Sequence, residues 1–104
     1  MSGPAKTPSP PYYAVIFTSI RTQDDNGYGD MADAMVALAA KQPGFLGFET
    51  ARQETGISVS YWASLKAIQA WKNNAEHRLA QKKAKQWYQQ LRVRVCRVEK
   101  EYGF

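Results

Sequence analysis

An α+β fold, with helices packed on one face of an antiparallel sheet, is the class that this sequence of 104 residues predicts. Three observations predict it. Segments rich in β-branched and aromatic residues alternate with a helical periodicity, turn residues separate them, and their order is strand, helix, strand, strand, helix, strand. Hydrophobic residues make up 44% of the chain, which indicates one compact domain rather than a disordered segment.

The first half of the chain predicts a strand, a helix and a second strand. Residues 12–22 are rich in β-branched and aromatic side chains, and turn residues follow them. Across residues 28–41, apolar side chains recur at three- and four-residue steps, as in a helix with one apolar stripe. Pro43 and Gly44 stop this helix, and Phe45–Arg52 is extended.

The second half predicts a third strand, a second helix and a last strand. Residues 53–56 form a hairpin loop that ends in glycine, and residues 57–62 form the third strand. Ser64 is a suitable N-cap for a helix that bends or breaks at residues 73–74 and continues to about residue 89. The last strand is predicted over residues 92–102. Its apolar positions shift after Val95, which indicates a bulge or two different neighbours.

This order of elements is that of the ferredoxin-like split β-α-β fold. Its helices cover one face of the sheet, and the other face needs a second cover. Because a core of this size is marginal alone, we expect a homodimer whose sheets face each other. Four of the five prolines lie in residues 1–11, which we predict to be a flexible tail outside a domain of residues 12–104.

Composition narrows the classes of function. Cys96 is the only cysteine, so no internal disulfide forms, no zinc-site spacing exists and a reducing, cytoplasmic location is expected. No apolar run reaches the roughly 20 residues that span a bilayer, so no membrane partner is expected. The net charge is +5, but the basic residues fit a solvated helix face and strand, and we expect no nucleic-acid partner. No motif predicts a cofactor or a metal.

The strongest candidate site is in residues 56–77, where a strand ending in Trp62 precedes a helix with Trp71 and the only histidine, His77. This unit can place two indoles and one imidazole around one apolar space. Imidazole removes a proton near neutral pH, so His77 is the candidate catalytic base. The alternatives are that His77 steadies the break in the helix and that the tryptophans supply core volume.

Side chains of the first and third strands complete the candidate pocket for a hydrophobic or aromatic small molecule. We expect Phe17, Ser19 and Ser60 to line it together with Trp62 and Trp71. Trp87 lies near a helix end and is a candidate for either a pocket wall or the dimer interface.

Two sequence stretches resemble the antibiotic biosynthesis monooxygenase domain family. They are PGFLG at residues 43–47 and SYWASLKAI at residues 60–68 followed by Trp71 and His77. The resemblance covers residues 12–102 and implies a dimeric α+β barrel with a pocket between helices and sheet in each subunit. It also implies that some relatives oxidise aromatic polyketides with molecular oxygen and no metal or flavin.

The haem-degrading relatives in the same superfamily have a different pattern of residues. They carry an asparagine in the first strand and a haem-ligating histidine about ten residues after the helix tryptophan. Here the first strand has Ile16-Phe17-Thr18, and Gln81 stands ten residues after Trp71. His77 instead matches the histidine that many family members carry after the aromatic residue of the second helix.

Two functions from different classes remain at this point. The first is a cofactor-independent monooxygenase that acts on an aromatic or quinone-like molecule. The second is a non-catalytic protein, associated with stress or with sequestering a metabolite, on the same dimeric scaffold. The sequence predicts a small-molecule pocket under both.

Overall fold

The computed structural model describes residues 3–23 and 25–104, the side chains of residues 75 and 76 excepted. Its elements are β1 (Tyr12–Arg21), α1 (Tyr28–Ala40), β2 (Phe45–Arg52), β3 (Gly56–Trp62), α2 (Leu65–Lys72), α3 (Ala75–Trp87) and β4 (Tyr88–Val98). The strands form one antiparallel sheet in the order β2-β3-β1-β4. This is the ferredoxin-like order, and the predicted fold class is confirmed.

The turn between α1 and β2 depends on Gly44. Its φ is 85°, which favours glycine. A Cβ built at Gly44 would lie 2.7 Å from the Cβ of Ala67, so the turn also packs tightly against α2. The carbonyl oxygen of Gly44 accepts a hydrogen bond from the backbone N–H of Ala63 at 2.7 Å. Gly44 therefore ties the start of β2 to the end of β3.

Two capping residues define the helices that follow β3. The hydroxyl oxygen of Ser64 accepts a hydrogen bond from the N–H of Ala67 at 3.0 Å, as predicted for an N-cap. The predicted break is confirmed, because α2 ends at Lys72 and α3 begins at Ala75. The side-chain oxygen of Asn74 accepts from the N–H of His77 at 3.3 Å. This cap holds His77 in the first turn of α3.

The last strand differs from the prediction of residues 92–102. It begins at Tyr88, directly after α3, and ends at Val98. No glycine or proline separates helix from strand, so the sequence carries no boundary signal there. The prediction of a bulge after Val95 is wrong. The pairing of β4 with β1 is regular on both sides of Val95, and its register shifts only between Ile20 and Arg21 of β1. Instead, β4 alternates between two faces, with Val93 and Val95 on one and Cys96 and Val98 on the other.

We call the side of the sheet that bears the helices the helix face, and the other side the open face. Trp62 contacts Trp71 of α2, which assigns Trp62 to the helix face. Strand alternation and pairing then place Ser58, Ser60, Phe17 and Ser19 on the same face. The open face carries the side chains of Tyr12, Ile16, Ile57, Val59 and Tyr61.

The segment that precedes β1 contacts the sheet. The N–H of Ala5 donates to a carboxylate oxygen of Glu49 at 2.8 Å, and the hydroxyl of Tyr61 donates to the other oxygen at 2.7 Å. The hydroxyl oxygen of Thr7 lies 2.9 Å from the hydroxyl oxygen of Tyr12. These contacts place described residues of the segment against the open face. Met1 and Ser2 lie outside the described residues.

In the part of the chain that the structure describes, no helix combines the length and apolar character needed to cross a membrane.

Candidate functional site

Four rings form a continuous aromatic stack at one end of the helix face. The stack consists of Phe45, Trp62, Trp71 and His77. Phe45 meets Trp62 edge-on with ring centroids 5.4 Å apart, and Trp71 lies over Trp62 at 6.1 Å with an angle of 25°. Trp71 and His77 are nearly parallel at 4.2 Å and 10°. The stack thus links β2, β3, α2 and α3 through side chains.

The imidazole of His77 is held at two points. One is the ring of Trp71, and the other is the carbonyl oxygen of the same residue, 3.1 Å from Nδ1. A carbonyl oxygen only accepts, so the contact assigns the hydrogen to Nδ1 and leaves the lone pair on Nε2 in the neutral ring. Burial lowers the pKa of His77, and the Trp71 carbonyl opposes part of this effect. A neutral imidazole with an unprotonated Nε2 is therefore favoured.

Ser60 and Trp62 are joined by a side-chain hydrogen bond. The indole Nε1–H of Trp62 donates to the Ser60 hydroxyl oxygen at 2.9 Å. The relative exposure of Trp62 is 0%, so Trp62 is a fully buried side chain and its N–H has a partner inside the protein. Ser60 therefore orients Trp62, and its own hydroxyl hydrogen remains available to a neighbour.

The other two predicted lining residues lie further along the same face. Trp62 pairs with Tyr13 of β1, and Phe17 is four residues beyond Tyr13. This separation corresponds to about 13 Å along the strand. Phe17 contacts Tyr88 edge-on at 5.3 Å, and Ser19 is 2% exposed. The structure thus groups Ser60, Trp62, Trp71 and His77, and it places Phe17 and Ser19 toward the opposite end.

A cleft of about 330 Å³ lies between α1 and β2 on the helix face. Its lining residues are Asp33, Val36, Ala37, Phe48 and Thr50. This volume is within the range of small-molecule pockets. The hydroxyl oxygens of Thr50 and Ser58 lie 2.9 Å apart and add a polar position at its floor.

A second, larger groove of about 690 Å³ lies near the end of β1 and the start of β4. It is more polar, and its lining residues are Thr18, Ser19, Ile20, Thr55, Gln89, Gln90, Leu91 and Arg92. Ser19, one of the predicted substrate-binding residues, lines this groove. The two spaces together give the sheet one narrow apolar cleft and one wide polar groove.

Several residues of the helix face were not predicted from the sequence. Phe48 and Thr50 line the cleft, and their alternation with Gly47 and Glu49 in β2 was the available signal. Trp87, the candidate for a pocket wall or the dimer interface, lines neither the cleft nor the groove and packs inside the chain. It is 4% exposed, its Nε1–H donates to the Asn26 carbonyl at 3.1 Å, and it packs on Tyr28.

Metal ligands are not clustered among the described residues. No group of three or more His, Cys, Asp or Glu side chains there is arranged to hold a metal ion.

Comparison with known proteins gives two sequence matches. The profile of the family described as antibiotic biosynthesis monooxygenase matches residues 11–83. The uncharacterized protein YqjZ of Bacillus subtilis is 50% identical over 103 residues, which cover 96% of this chain and 90% of the relative.

Solved structures share the fold at low sequence identity. Rv0793 of Mycobacterium tuberculosis has a TM-score of 0.79 at 13% identity, covering 88% of this chain and 99% of that one. SnoaB, a cofactor-independent oxygenase from Streptomyces nogalater, has a TM-score of 0.76 at 9% identity and covers 88% and 97%. At these identities the likeness establishes the fold alone.

Proposed function

Because the chain belongs to the antibiotic biosynthesis monooxygenase family, we propose that it is a cofactor-independent monooxygenase. Its substrate is an aromatic or quinone-like small molecule bound between the helices and the sheet. SnoaB, which shares the fold, is itself a cofactor-independent oxygenase. The fold alone does not determine activity, so the proposal rests on the site.

The observation that carries the proposal is the position of His77. Its imidazole is partly buried, stacked on Trp71 and hydrogen-bonded through Nδ1, which leaves Nε2 as the base. The first step is removal of a proton by Nε2 from an activated CH₂ group, which a phenol presents in its keto tautomer. Desolvation of the imidazole keeps the base unprotonated at neutral pH.

The substrate itself supplies the electrons for the reaction. Its carbanion or enolate reduces molecular oxygen, and a carbon–oxygen bond forms at the deprotonated carbon. The O–O bond then breaks, one oxygen atom stays as a carbonyl, and the other leaves as water with the two hydrogens of the original CH₂. Atoms and electrons balance with oxygen as the only co-substrate, so no external reductant is required.

The remaining predicted residues have binding roles in this proposal. Trp71 provides flat apolar surface for an aromatic ring, and the buried Trp62, fixed by its hydrogen bond to Ser60, supports the Trp71 ring from inside the protein. Phe17 binds the distal part of a substrate long enough to follow the helix face, and the buried hydroxyl of Ser19 orients the side chain of Arg52 there. The cleft lined by Phe48 lies on the same face of the sheet and has a suitable volume.

The proposed assembly is a homodimer in which two open faces pack together and complete a barrel. Apolar side chains on the open face support it, and Ile57 there is 47% exposed. A cytoplasmic location is proposed with it, because the single cysteine, Cys96, has no disulfide role.

The experiment is oxygen consumption with a panel of quinols and polyketide-like phenols. We expect at least one phenol to be oxidised, with one oxygen molecule consumed per product. His77→Phe keeps a stacked ring but removes the base, so kcat should fall by about 10²-fold or more. Gln81→Ala, an exposed change on α3, is the matched control. Unchanged turnover in both His77→Phe and Trp71→Phe would make the site assignment wrong.

A non-catalytic binding protein is the competing function, and one observation favours it. Trp71 contacts both Trp62 and His77. The three rings therefore fill the space between them, and no substrate ring fits between Trp71 and the imidazole of His77. A ligand that binds with micromolar affinity and is recovered unchanged from oxygen-saturated buffer would favour this second function.

A further inference from the structure

Arg52 crosses the sheet at the end of the helix face opposite the aromatic stack. Arg52 pairs with Gly56 across β2 and β3, and Gly56 pairs with Ser19 across β3 and β1. Three guanidinium atoms of Arg52 occupy the space that a Cβ at Gly56 would fill. The Nη2 group of Arg52 then donates to the hydroxyl of Ser19, which is 2% exposed. Gly56 therefore makes room for an arginine anchored on a buried hydroxyl.

The guanidinium of Arg52 keeps donors for a ligand. A guanidinium has five N–H groups in a planar fork, and the hydrogen bond to Ser19 uses one of them. In the described part of the chain, no carboxylate lies within ion-pair distance of Arg52. Carboxylate groups match this fork geometry in two parallel hydrogen bonds.

A second arginine lies at the same end. The Cζ atom of Arg21 is 3.5 Å from the centre of the Tyr28 ring, and its Nε–H donates to the Trp87 carbonyl at 2.8 Å. Tyr28 contacts Tyr88 edge-on at 5.5 Å. Burial and a hydrogen bond to Tyr28 raise the pKa of the Tyr88 phenol, and the charges of Arg52 and Arg21 act in the opposite direction. Both guanidinium groups are thus close enough to influence one phenol.

The cleft between α1 and β2 leads away from these two arginines. Thr50 lines the cleft and lies two residues before Arg52 on the same face of β2. This step is about 7 Å along the strand. In the other direction, Phe48 leads back toward Phe45, where the aromatic stack begins. The negative charge of Asp33 on the cleft wall disfavours an anion in the cleft itself, so a ligand's anionic group is directed to the arginine end.

We propose that Arg52, supported by Arg21 and Ser19, forms an anion subsite for an aromatic carboxylate whose ring system lies in the cleft over Phe48. This inference rests on the proposed function, because both use the helix-face cleft. It specifies the substrate class as an aromatic acid, with the carboxylate at the arginine end and the ring directed toward Trp62. The carboxylate is bound unchanged, and it takes part in no proton transfer or redox step.

Isothermal titration calorimetry with two matched probes tests the subsite. The probes are 2-naphthoate and 2-naphthalenemethanol, which share the ring system and differ in the charged group. We expect 2-naphthoate to bind at least tenfold more tightly, and Arg52→Gln to abolish that advantage. Gly56→Ala should reduce it as well, because the added methyl group displaces the guanidinium. Arg94→Gln removes one positive charge from the open face, away from both the cleft and the groove, and should leave the advantage intact.

Three results would overturn the proposal. They are equal affinity for the two probes, an advantage that survives Arg52→Gln, and equal competition by inorganic phosphate, which would indicate a general anion site. Circular dichroism of each variant shows whether a lost advantage comes from lost folding, and Arg52→Lys retains the charge without the fork. Because binding is measured without turnover, selective binding of 2-naphthoate alongside absent oxygenase activity would uphold the subsite and reject the monooxygenase function.

Discussion

His77 and Trp71 lie face to face, with ring centroids 4.2 Å apart, and the carbonyl oxygen of Trp71 is 3.1 Å from Nδ1 of His77. One residue therefore supplies both the apolar surface and the polar contact that hold the imidazole. Asn74 caps the helix that begins there, so the backbone of His77 is fixed as well. The position of the proposed base depends on a break between two helices rather than on a loop.

Unfolding free energy should depend on pH through His77. Because the pKa of His77 is lower in the folded protein than the ordinary value of 6.5, the unfolded chain takes up a proton first as the pH falls. Stability is therefore fully present above about pH 7 and decreases as the pH falls through 6.5 toward the folded pKa. Urea unfolding at several pH values between 7.5 and 5.5 measures this slope.

His77→Phe is the control for the pH dependence. The variant keeps an aromatic ring against Trp71 and removes the titrating group, and the chain has no other histidine. Its unfolding free energy should be nearly constant over the same interval. A slope of equal size in the variant would show that a different group titrates.

Two replacements of Trp71 should separate the contributions of ring stacking and of apolar burial to the unfolding free energy. Trp71→Leu removes the contacts with both Trp62 and His77, so we expect a loss of about 2 kcal/mol in unfolding free energy. Trp71→Phe keeps an aromatic ring and should lie about 1 kcal/mol above the leucine variant. Urea denaturation followed by far-ultraviolet circular dichroism measures both values. Equal stability of the two variants would mean that the stack contributes nothing beyond apolar area.

The N-terminal segment offers a test of the predicted domain boundary. If the segment were independent of the fold, the Ala5 amide would exchange its hydrogen without protection. Deletion of the segment would then leave the unfolding free energy unchanged. The hydrogen bond from Ala5 to Glu49 favours protection of that amide instead. We expect measurable protection at Ala5 in hydrogen exchange, and a loss of about 1 kcal/mol when residues 1–9 are deleted. Glu49→Gln should reduce the protection, because a neutral amide oxygen is a weaker acceptor.

The elements of the fold were accessible from sequence to different degrees. Phe45–Arg52 was predicted with its observed bounds, because Pro43 and Gly44 mark its start and the extended pattern fills it. The start of β4 was missed by four residues, since Tyr88 pairs with Arg21 directly after the helix and no turn residue intervenes. Local signals thus located the strand that a turn precedes, and failed where helix passes directly into strand.

The candidate site shows the same limit. Trp62, Trp71 and His77 were grouped correctly because strand, cap and helix follow one another within 16 residues of sequence. The contact between Arg52 and Ser19 was not predicted, because it joins residues 33 positions apart across an intervening strand. It depends on the register of three strands and on the missing side chain of Gly56. Neither the register of the strands nor the space left by Gly56 can be predicted from composition or periodicity.

The open face of the sheet is the interface of the proposed dimer. Ile57 is on the open face and 47% exposed in the single chain, so two facing sheets would bury it. Ile57→Glu should leave the monomer folded, because a charged side chain at a half-exposed position is solvated. In a face-to-face dimer the same carboxylate would be desolvated without a partner, which costs several kcal/mol per copy. We therefore expect the variant to be monomeric at micromolar concentration in size-exclusion chromatography with light scattering, and the unchanged protein to be dimeric.

Leu79→Glu is the matched control, since Leu79 is 56% exposed on α3 and away from the open face. A dimer that survives Ile57→Glu but is lost in Leu79→Glu would place the interface on the helices and reject the barrel. A monomeric unchanged protein would reject the dimer altogether, and the contacts of the N-terminal segment with Glu49 and Tyr12 would then be the cover of the open face.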